Sequence, residues 1–210
     1  FVYGADIATL NEGLFPTQLA PHRLGFNSHA EIRMTPATYE VVTVQNVKII
    51  PTVSGNVGYF KLDSHIAKSE TEMVAANNQL NAANVTDLVI DMRYNGGGVL
   101  YIASQLAYMV SDPARTTGKT FEQLTYNDKL ASQNEAFPFL SYGVSNSTLP
   151  HLNLSHVTIL ATRGTASASE SVINSLRGVD VTVDLIGATT RGKPYGFVPQ
   201  DNCSYTYFAI

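Results

Sequence analysis

The sequence predicts an α/β fold, a core of parallel-rich β-sheet with crossover helices, preceded by an N-terminal β-rich segment. Short apolar runs rich in β-branched residues alternate with segments whose apolar residues recur at helical spacing. Successive strands joined through a helix need a crossover connection, so neighbouring strands should run parallel. A chain of 210 residues with 44% hydrophobic content is long enough to bury a full core as one domain.

In the N-terminal quarter of the chain, the sequence pattern predicts an irregular start followed by strands. Residues 1–21 contain glycine and proline and show no sustained period, whereas Ala30–Met34 and Tyr39–Ile50 alternate or run apolar with β-branched side chains. We therefore expect residues 1–54 to form a β-rich segment that packs on a core of residues 55–210. Because the chain begins without Met and ends inside an apolar alternation, we expect a fragment with a truncated C-terminus.

In the predicted core, residues 55–210, the sequence pattern indicates strands and helices in alternation. Val57–Leu62 is typical of a strand, and Ser69–Ala83 of a helix that begins with a capping box. The pattern continues as strand 88–92, helix 99–110, strand 156–161, helix 171–177 and strand 182–187. Residues 111–150 are rich in Ser, Thr, Asn and Pro. They indicate either an excursion beside a substrate groove or surface loops anchored by aromatic residues, namely Tyr126, Phe137, Phe139 and Tyr142.

A cluster of small residues, Arg163-Gly-Thr-Ala-Ser-Ala-Ser-Glu170, lies between strand 156–161 and the helix that follows. Small residues at a strand-to-helix turn let a hydroxyl stand exposed while the next backbone N–H points at the group under attack. The turn therefore carries a candidate serine nucleophile.

Two other segments supply groups that a serine nucleophile needs. Strand 88–92 is followed by three consecutive glycines, Gly96 to Gly98, which bare backbone N–H groups to a close oxygen, as an oxyanion hole requires. Lys193 lies on a constrained turn between Gly192 and Pro194. A lysine that its neighbours desolvate can lose its proton and act as general base to a serine.

These motifs, in this order, resemble the S41 serine peptidases, which include the C-terminal processing and tail-specific proteases, with tricorn protease as a more distant relative. The resemblance runs from about Gly55 to Phe197, through Val57-Gly-Tyr-Phe-Lys-Leu62, Leu88 to Gly98, Thr165 to Glu170 and Gly192-Lys-Pro-Tyr-Gly196. It implies a ClpP/crotonase-like fold and a serine endopeptidase that acts on polypeptides and needs neither metal nor cofactor.

The resemblance also implies roles for individual residues. Ser167 matches the family nucleophile and Lys193 matches the general base. The oxyanion would be held by the backbone N–H groups of Ala168 and of one glycine in the triplet, for which we select Gly97.

Two departures from the family pattern concern the lysine. Processing proteases usually carry a glutamine four residues after the lysine to orient it, whereas this chain has Phe197. Tricorn-like members use a histidine in the Gly-Tyr-x-x strand, where this chain has Lys61. The group that orients Lys193 is therefore unassigned, and His65, which follows this strand closely, is kept as a reserve base.

Other polar residues of these motifs have structural interpretations. An ion pair between Asp91 and Arg93 that fixes the glycine loop is favoured over direct chemistry. Glu170 lies in the first turn of the predicted helix, where a carboxylate complements the helix dipole. Ser169 is expected to cap or pack rather than to attack a substrate.

Charge and composition argue against several classes of partner. A net charge of −4 without a basic run argues against nucleic acid or an anionic membrane surface, and no stretch reaches the roughly 18 apolar residues of a membrane span. The five histidines lack metal-ligand spacing. Charged residues make up 14% of a chain rich in Asn, Ser and Thr, which favours an exported protein; the single Cys203 leaves the compartment open. The resemblance to the S41 peptidases implies a bacterial protein that is periplasmic or secreted.

Three functional classes are compatible with these features. The first is a serine endopeptidase that acts by acyl transfer from Ser167 with Lys193 as base. The second is a crotonase-type enzyme acting on acyl thioesters, since a glycine-rich oxyanion hole also suits an enolate. The third is a non-catalytic module that binds a peptide or another ligand on the same scaffold. The serine turn paired with a downstream lysine favours the first class.

Overall fold

The computed structural model describes residues 6–18, 20–25 and 30–209, and the chain divides into two compact units, Phe1–Val41 and Val42–Ile210. The smaller unit contains helix α1 (Ile7–Leu14) and an antiparallel pair of short strands, β1 (His22–Leu24) and β2 (Ile32–Met34). The prediction of an irregular start is wrong for Ile7–Leu14. Asp6 caps this helix, since its Oδ1 accepts the Thr9 N–H at 2.7 Å.

The larger unit alternates strands and helices. Its elements follow along the chain as β3 (Val44–Thr52), β4 (Gly55–Leu62), α2 (Ser69–Ala82), β5 (Val85–Asp91), α3 (Leu100–Val110), α4 (Pro113–Thr116), β6 (Thr120–Leu124), β7 (Glu135–Pro138), β8 (His156–Ala161), α5 (Ala168–Gly178), β9 (Thr182–Gly187), β10 (Val198–Asn202) and β11 (Tyr205–Ala209).

Five of these strands form one sheet in the order β3-β4-β5-β8-β9. The edge strand β3 runs antiparallel to β4, and every other neighbouring pair is parallel. The α/β class and the mostly parallel sheet are therefore confirmed. Strand β3, which we placed in the N-terminal segment, is a member of this sheet.

The core lies between the sheet and its helices. Leu88 and Ile90 lie on the same face of β5 and are fully buried, whereas Val89 on the opposite face is half-buried. Helix α3 is apolar on nearly all sides and contacts both α2 and α5, which is why nine of its eleven residues are buried. Among the described residues, no helix is both long and apolar enough to cross a bilayer.

Residues 111–150 are more regular than either interpretation of their sequence suggested. They contain α4, a short 3-10 helix at Asp128–Gln133 and the antiparallel pair β6–β7. Phe121 meets Phe137 and Phe139 edge to face, with ring centroids 6.4 and 5.4 Å apart, and joins them to the core. The anchoring interpretation is thus confirmed for Phe137 and Phe139.

The parallel strands determine where the predicted motifs meet. Strands β4, β5, β8 and β9 all point the same way, so their carboxyl ends lie along one edge of the sheet. The loops that leave such ends converge on one another and commonly form binding sites in α/β proteins. The segments 63–66, 92–99, 162–167 and 188–193 all leave this edge.

Candidate active site

The turn between β8 and α5 holds Ser167 in an unusual backbone conformation. Its φ of 57° and ψ of −123° are those of the first central residue of a type II′ turn, a position that favours glycine. Helix α5 begins at the next residue, so the Ala168 N–H has no acceptor within the helix. Ser169 is fully buried and its hydroxyl donates to Asn95 O at 3.2 Å, which gives it a packing role.

The glycine loop after β5 packs directly on this turn. Gly97 has a φ of 101°, and a Cβ at this residue would lie 2.7 Å from Ala166 O, 2.8 Å from Ser167 Cβ and 2.9 Å from Ala168 N. No residue with a side chain fits there without moving the turn. The fold therefore brings Gly97, Ser167 and Ala168 together.

The buried side chain of Asn95 connects the glycine loop to its surroundings. Its Oδ1 accepts the Gly97 N–H at 2.9 Å, and its Nδ2 donates to Leu62 O at 3.0 Å. Its main-chain oxygen accepts the Ala166 N–H at 3.3 Å. The expectation of a bare Gly97 N–H is thus not met in this structure, because that N–H is held by the Asn95 amide.

His65 lies fully buried against the same loop. Its backbone N–H donates to Gly97 O at 3.1 Å, and its carbonyl oxygen accepts the Val99 N–H at 2.7 Å. Its Nδ1 lies 3.2 Å from Asn95 Oδ1, which can only accept, so Nδ1 carries the proton and Nε2 is left without a partner among the described residues. Burial lowers the pKa of His65 to about 4. These contacts fit a support for the glycine loop better than they fit a general base.

Glu170 connects residues 162–167, which we name the nucleophile turn after the predicted role of Ser167, to residues 188–193, which we name the lysine loop. Its Oε2 accepts the backbone N–H of Ser167 at 2.8 Å and that of Lys193 at 2.9 Å, while Oε1 accepts the Gly192 N–H at 2.6 Å. Burial alone would raise the pKa of Glu170, but these bonds and one from the Thr190 side chain outweigh it and lower that pKa. The carboxylate is therefore held ionised where it joins the Ser167 turn to Lys193, which lies 23 residues after Glu170 in the sequence.

The side chain of Lys193 is half-buried and its amine faces an aromatic ring. Nζ lies 4.4 Å from the centroid of the Phe197 ring, a cation–π contact. No hydrogen bond joins this amine to the Ser167 hydroxyl in the described part of the chain. Phe197 thus stands in this structure where the family pattern has an orienting glutamine.

The expected ion pair at the end of β5 is confirmed. Arg93 donates to the buried Asp91 from Nε at 2.9 Å and from Nη2 at 2.7 Å, and the Tyr59 hydroxyl donates to Asp91 Oδ2 at 3.0 Å. Burial would raise the pKa of Asp91, but the hydrogen bonds from Arg93 and Tyr59 outweigh it and lower that pKa. This ion pair fixes Asp91 and Arg93, which come shortly before the glycines Gly96 to Gly98. Among the described residues, no group of three or more His, Cys, Asp or Glu side chains could hold a metal ion.

Comparison with known proteins identifies the family. The sequence pattern of peptidase family S41 matches residues 56–199, about two thirds of the chain. The chain belongs to peptidase family S41. This match covers β4 through the lysine loop and so includes each of the segments that meet at the carboxyl edge of the sheet.

Several relatives of this S41 chain are known. A carboxyl-terminal-processing protease from Picosynechococcus is 27% identical over 201 residues, which cover 89% of this chain and 44% of that protein. The structure of a Bacteroides fragilis protein assigned to the S41 proteases superposes with a TM-score of 0.71 at 26% identity, covering 88% of this chain and 50% of the other. The photosystem II D1 C-terminal processing protease has the same fold, with a TM-score of 0.55 at 23% identity, covering 81% of this chain and 42% of the other. The chain thus spans half or less of the length of these relatives.

Sequence reasoning assigned the nucleophile turn, the glycine loop and the lysine loop but missed two residues that join them. Glu170 was interpreted through the helix dipole alone, and Asn95 was given no role. The spacing of Ser167 and Glu170, three residues apart, is that of a capping box and indicates the bond to the Ser167 N–H. No sequence signal indicates the bonds to Gly192 and Lys193, which depend on how two distant loops dock.

Proposed function

We propose that the chain carries the catalytic core of a serine endopeptidase that cleaves polypeptides by acyl transfer, with Ser167 as nucleophile and Lys193 as general base. One observation carries the proposal: the backbone N–H groups of Ser167, Gly192 and Lys193 converge on the single carboxylate of Glu170. A shared carboxylate keeps the nucleophile turn and the lysine loop in register, which a serine and its base require.

The proposed reaction has two halves. In the first, the neutral Lys193 amine takes the Ser167 hydroxyl proton while Oγ bonds to the substrate carbonyl carbon, and the proton then passes to the departing amine as the peptide bond breaks. In the second, Lys193 takes a proton from water, the resulting hydroxide attacks the acyl ester, and the carboxylic product leaves as Ser167 regains its proton.

Two local changes accompany substrate binding in this proposal. The oxyanion is held by the N–H groups of Ala168 and Gly97, so the Gly97 N–H exchanges Asn95 Oδ1 for the substrate oxygen. The Lys193 amine moves from the Phe197 ring towards Ser167. Both changes need only side-chain rotation or a small loop shift, because the backbones of both loops are already docked on the nucleophile turn.

The wider assignments follow from the same proposal. The order of the parallel strands, with the serine turn after β8 and the glycine loop after β5, is consistent with a ClpP/crotonase-like core. The substrate is a polypeptide, and the protein acts in the bacterial periplasm or is secreted. Strand β3 belongs to the core sheet, so the proposed peptidase core includes residues 42–54 rather than beginning at residue 55.

The test pairs two serines that differ in their surroundings. Ser167→Ala should abolish cleavage of a fluorogenic peptide and labelling by a serine-directed phosphonate, mapped by mass spectrometry. Ser169→Ala should retain both, since its hydroxyl only bonds Asn95 O. Lys193→Arg should be inactive because guanidinium does not give up its proton. Full activity in Ser167→Ala would refute the proposal.

A non-catalytic binding module is the second candidate, and two observations favour it. The Lys193 amine faces the Phe197 ring, and the Gly97 N–H is held by Asn95. If this arrangement persists when peptide binds, the chain should bind peptide without labelling by the phosphonate and without turnover. Crystallography of the peptide complex would distinguish the two candidates by the position of Lys193 Nζ.

A further inference from the structure

A hollow of about 360 Å³ lies beside the proposed catalytic residues and is lined by Arg163, Thr189, Thr190 and Arg191. We name it the arginine hollow. Its lining side chains are two hydroxyls and two guanidinium groups, all of which can donate hydrogen bonds, and the guanidinium groups are positively charged. Such a lining is suited to an anion.

Both guanidinium groups of the arginine hollow lack a partner within residues 6–18, 20–25 and 30–209. Neither Arg163 nor Arg191 makes a side-chain hydrogen bond or an ion pair with the described residues. The other three arginines of the larger unit are all engaged: Arg93 with Asp91, Arg115 with Asp180 O and Arg177 with Val183 O. Two unpaired like charges around one hollow, in a chain of net charge −4, indicate a site that a negatively charged ligand completes.

The walls of the hollow are fixed to the catalytic loops. The Arg191 backbone N–H donates to Thr165 O at 2.9 Å, and the next two residues donate to Glu170. The carboxylate of Glu170 accepts three backbone N–H groups and a bond from the Thr190 side chain, and it makes no ion pair with Arg163 or Arg191 in the described chain, so one carboxylate stands beside two guanidinium groups. The hollow therefore keeps its net positive charge.

The hollow is also close to the bond that would be cleaved. Arg163 is four residues before Ser167, and Arg191 is two residues before Lys193. At no more than about 3.6 Å per residue, their Cα atoms lie within roughly 15 Å and 7 Å of those of the proposed nucleophile and base. An extended peptide covers this span in a few residues.

We propose that the arginine hollow is a specificity site that binds a carboxylate of the peptide substrate, through Arg163 and Arg191, a few residues from the scissile bond. The carboxylate comes either from an Asp or Glu side chain or from the terminal carboxyl group of the peptide. The inference takes its substrate class from the proposed peptidase function, but the carboxylate site can be tested without turnover.

The test measures binding first. Four fluorescent peptides of one cleavable sequence are compared on the Ser167→Ala protein by anisotropy: Glu or Gln near the scissile bond, each with a free or an amidated C-terminus. We expect at least one carboxylate to strengthen binding about tenfold, with the preference reduced at about 0.5 M salt. The Glu and Gln pair tests the side chain, and the acid and amide pair tests the chain terminus.

The same preference should depend on both arginines. Arg163→Gln and Arg191→Gln should each reduce it several-fold, while Arg→Lys at either position should keep part of it and Lys129→Gln, a surface lysine outside the hollow, should keep all of it. Thermal unfolding of each variant checks that the fold is intact. A preference that survives both glutamine variants, or the absence of any preference, would overturn the inference.

Kinetics on the wild-type chain separate this inference from the proposed function. If the peptides are cleaved but acidic and neutral forms have the same kcat/KM, the carboxylate site is wrong and the peptidase stands. If the Ser167→Ala protein selects the carboxylate but the wild-type chain cleaves none of the peptides, the carboxylate site stands and the peptidase is wrong.

Discussion

Gly97→Ala should inactivate the chain through a single methyl group. The added Cβ would lie 2.7 Å from Ala166 O, 2.8 Å from Ser167 Cβ and 2.9 Å from Ala168 N, and a φ of 101° disfavours any residue with a side chain. Two of these contacts are backbone atoms of the nucleophile turn, which cannot rotate away as a side chain would.

The size of the effect follows from these distances. Ordinary van der Waals contact begins near 3.4 Å, so the loop and the turn must separate by about half an ångström or more. A displacement of roughly 1 Å at a catalytic group costs about 10²-fold in rate, or about 2.7 kcal/mol of activation free energy. The strained backbone should also lower the free energy of unfolding by roughly 1–3 kcal/mol.

The assay measures kcat for a fluorogenic peptide at a temperature where urea unfolding shows the variant to be folded. Gly96→Ala is the matched control, because an added Cβ there meets only Gly164 O at 4.0 Å and φ is outside the left-handed region. We expect the control to keep wild-type activity. A folded Gly97→Ala protein with kcat within twofold of wild type would show that this contact does not position the nucleophile.

Three other predictions concern a carboxylate, a histidine and the aromatic cluster. Glu170 accepts backbone N–H groups on both carboxylate oxygens, and Glu170→Gln has only one acceptor oxygen, so kcat should fall about tenfold or more with KM within twofold. Glu72→Gln is the control, because the bonds from Thr43 and Val44 all go to one oxygen, which an amide retains, and its kcat should be unchanged; equal losses in steady-state kinetics would contradict a positioning role for Glu170. Hydrogen bonds from His156 to Asp184 and to Asp87 raise the pKa of His156 in the folded chain. The stabilisation that protonated His156 gives should therefore be complete below its pKa in the unfolded chain, about 6.5, and should be lost as pH rises through its pKa in the folded chain. The difference in urea midpoint between wild type and His156→Gln should therefore shrink above about pH 6.5, and a difference that is constant from about pH 5.5 to 9 would count against this. Phe121→Ala should lower the free energy of unfolding by about 3–5 kcal/mol in urea titrations, because the side chain is buried against Phe137 and Phe139; a loss below about 1 kcal/mol would mean that the cluster is not part of the core.

Hydrophobic periodicity predicted which helices and strands the larger unit contains better than it predicted the residues at which they begin and end. Helix α5 was expected at 171–177 and extends over Ala168–Gly178, because the cap at Ser167 and Glu170 sets its start and the apolar pattern reports only the buried middle. Helix α1 was missed because it is short and its start depends on the Asp6 cap.

The sequence predicted which loops form the candidate site but not the bonds within it. Crossover helices require parallel strands, and parallel strands place the serine turn, the glycine loop and the lysine loop at the same edge of the sheet. The Gly97 N–H bond to Asn95 depends on a rotamer, and the Lys193 contact with Phe197 depends on loop conformation. Neither is encoded in spacing or composition.

The backbone conformation of Ser167 has a consequence for the stability of the chain. A non-glycine residue at φ 57° and ψ −123° costs roughly 1–3 kcal/mol, so serine at this position lowers the stability of the fold. Replacement by glycine should relieve that cost, and Ser167→Gly should unfold at a higher temperature than Ser167→Ala, the reverse of the usual order in folded proteins. Ser167→Gly would then remove the proposed nucleophile and raise the unfolding temperature in one step, a trade-off between activity and stability. The same gain in stability makes the glycine variant the better form for trapping peptide complexes.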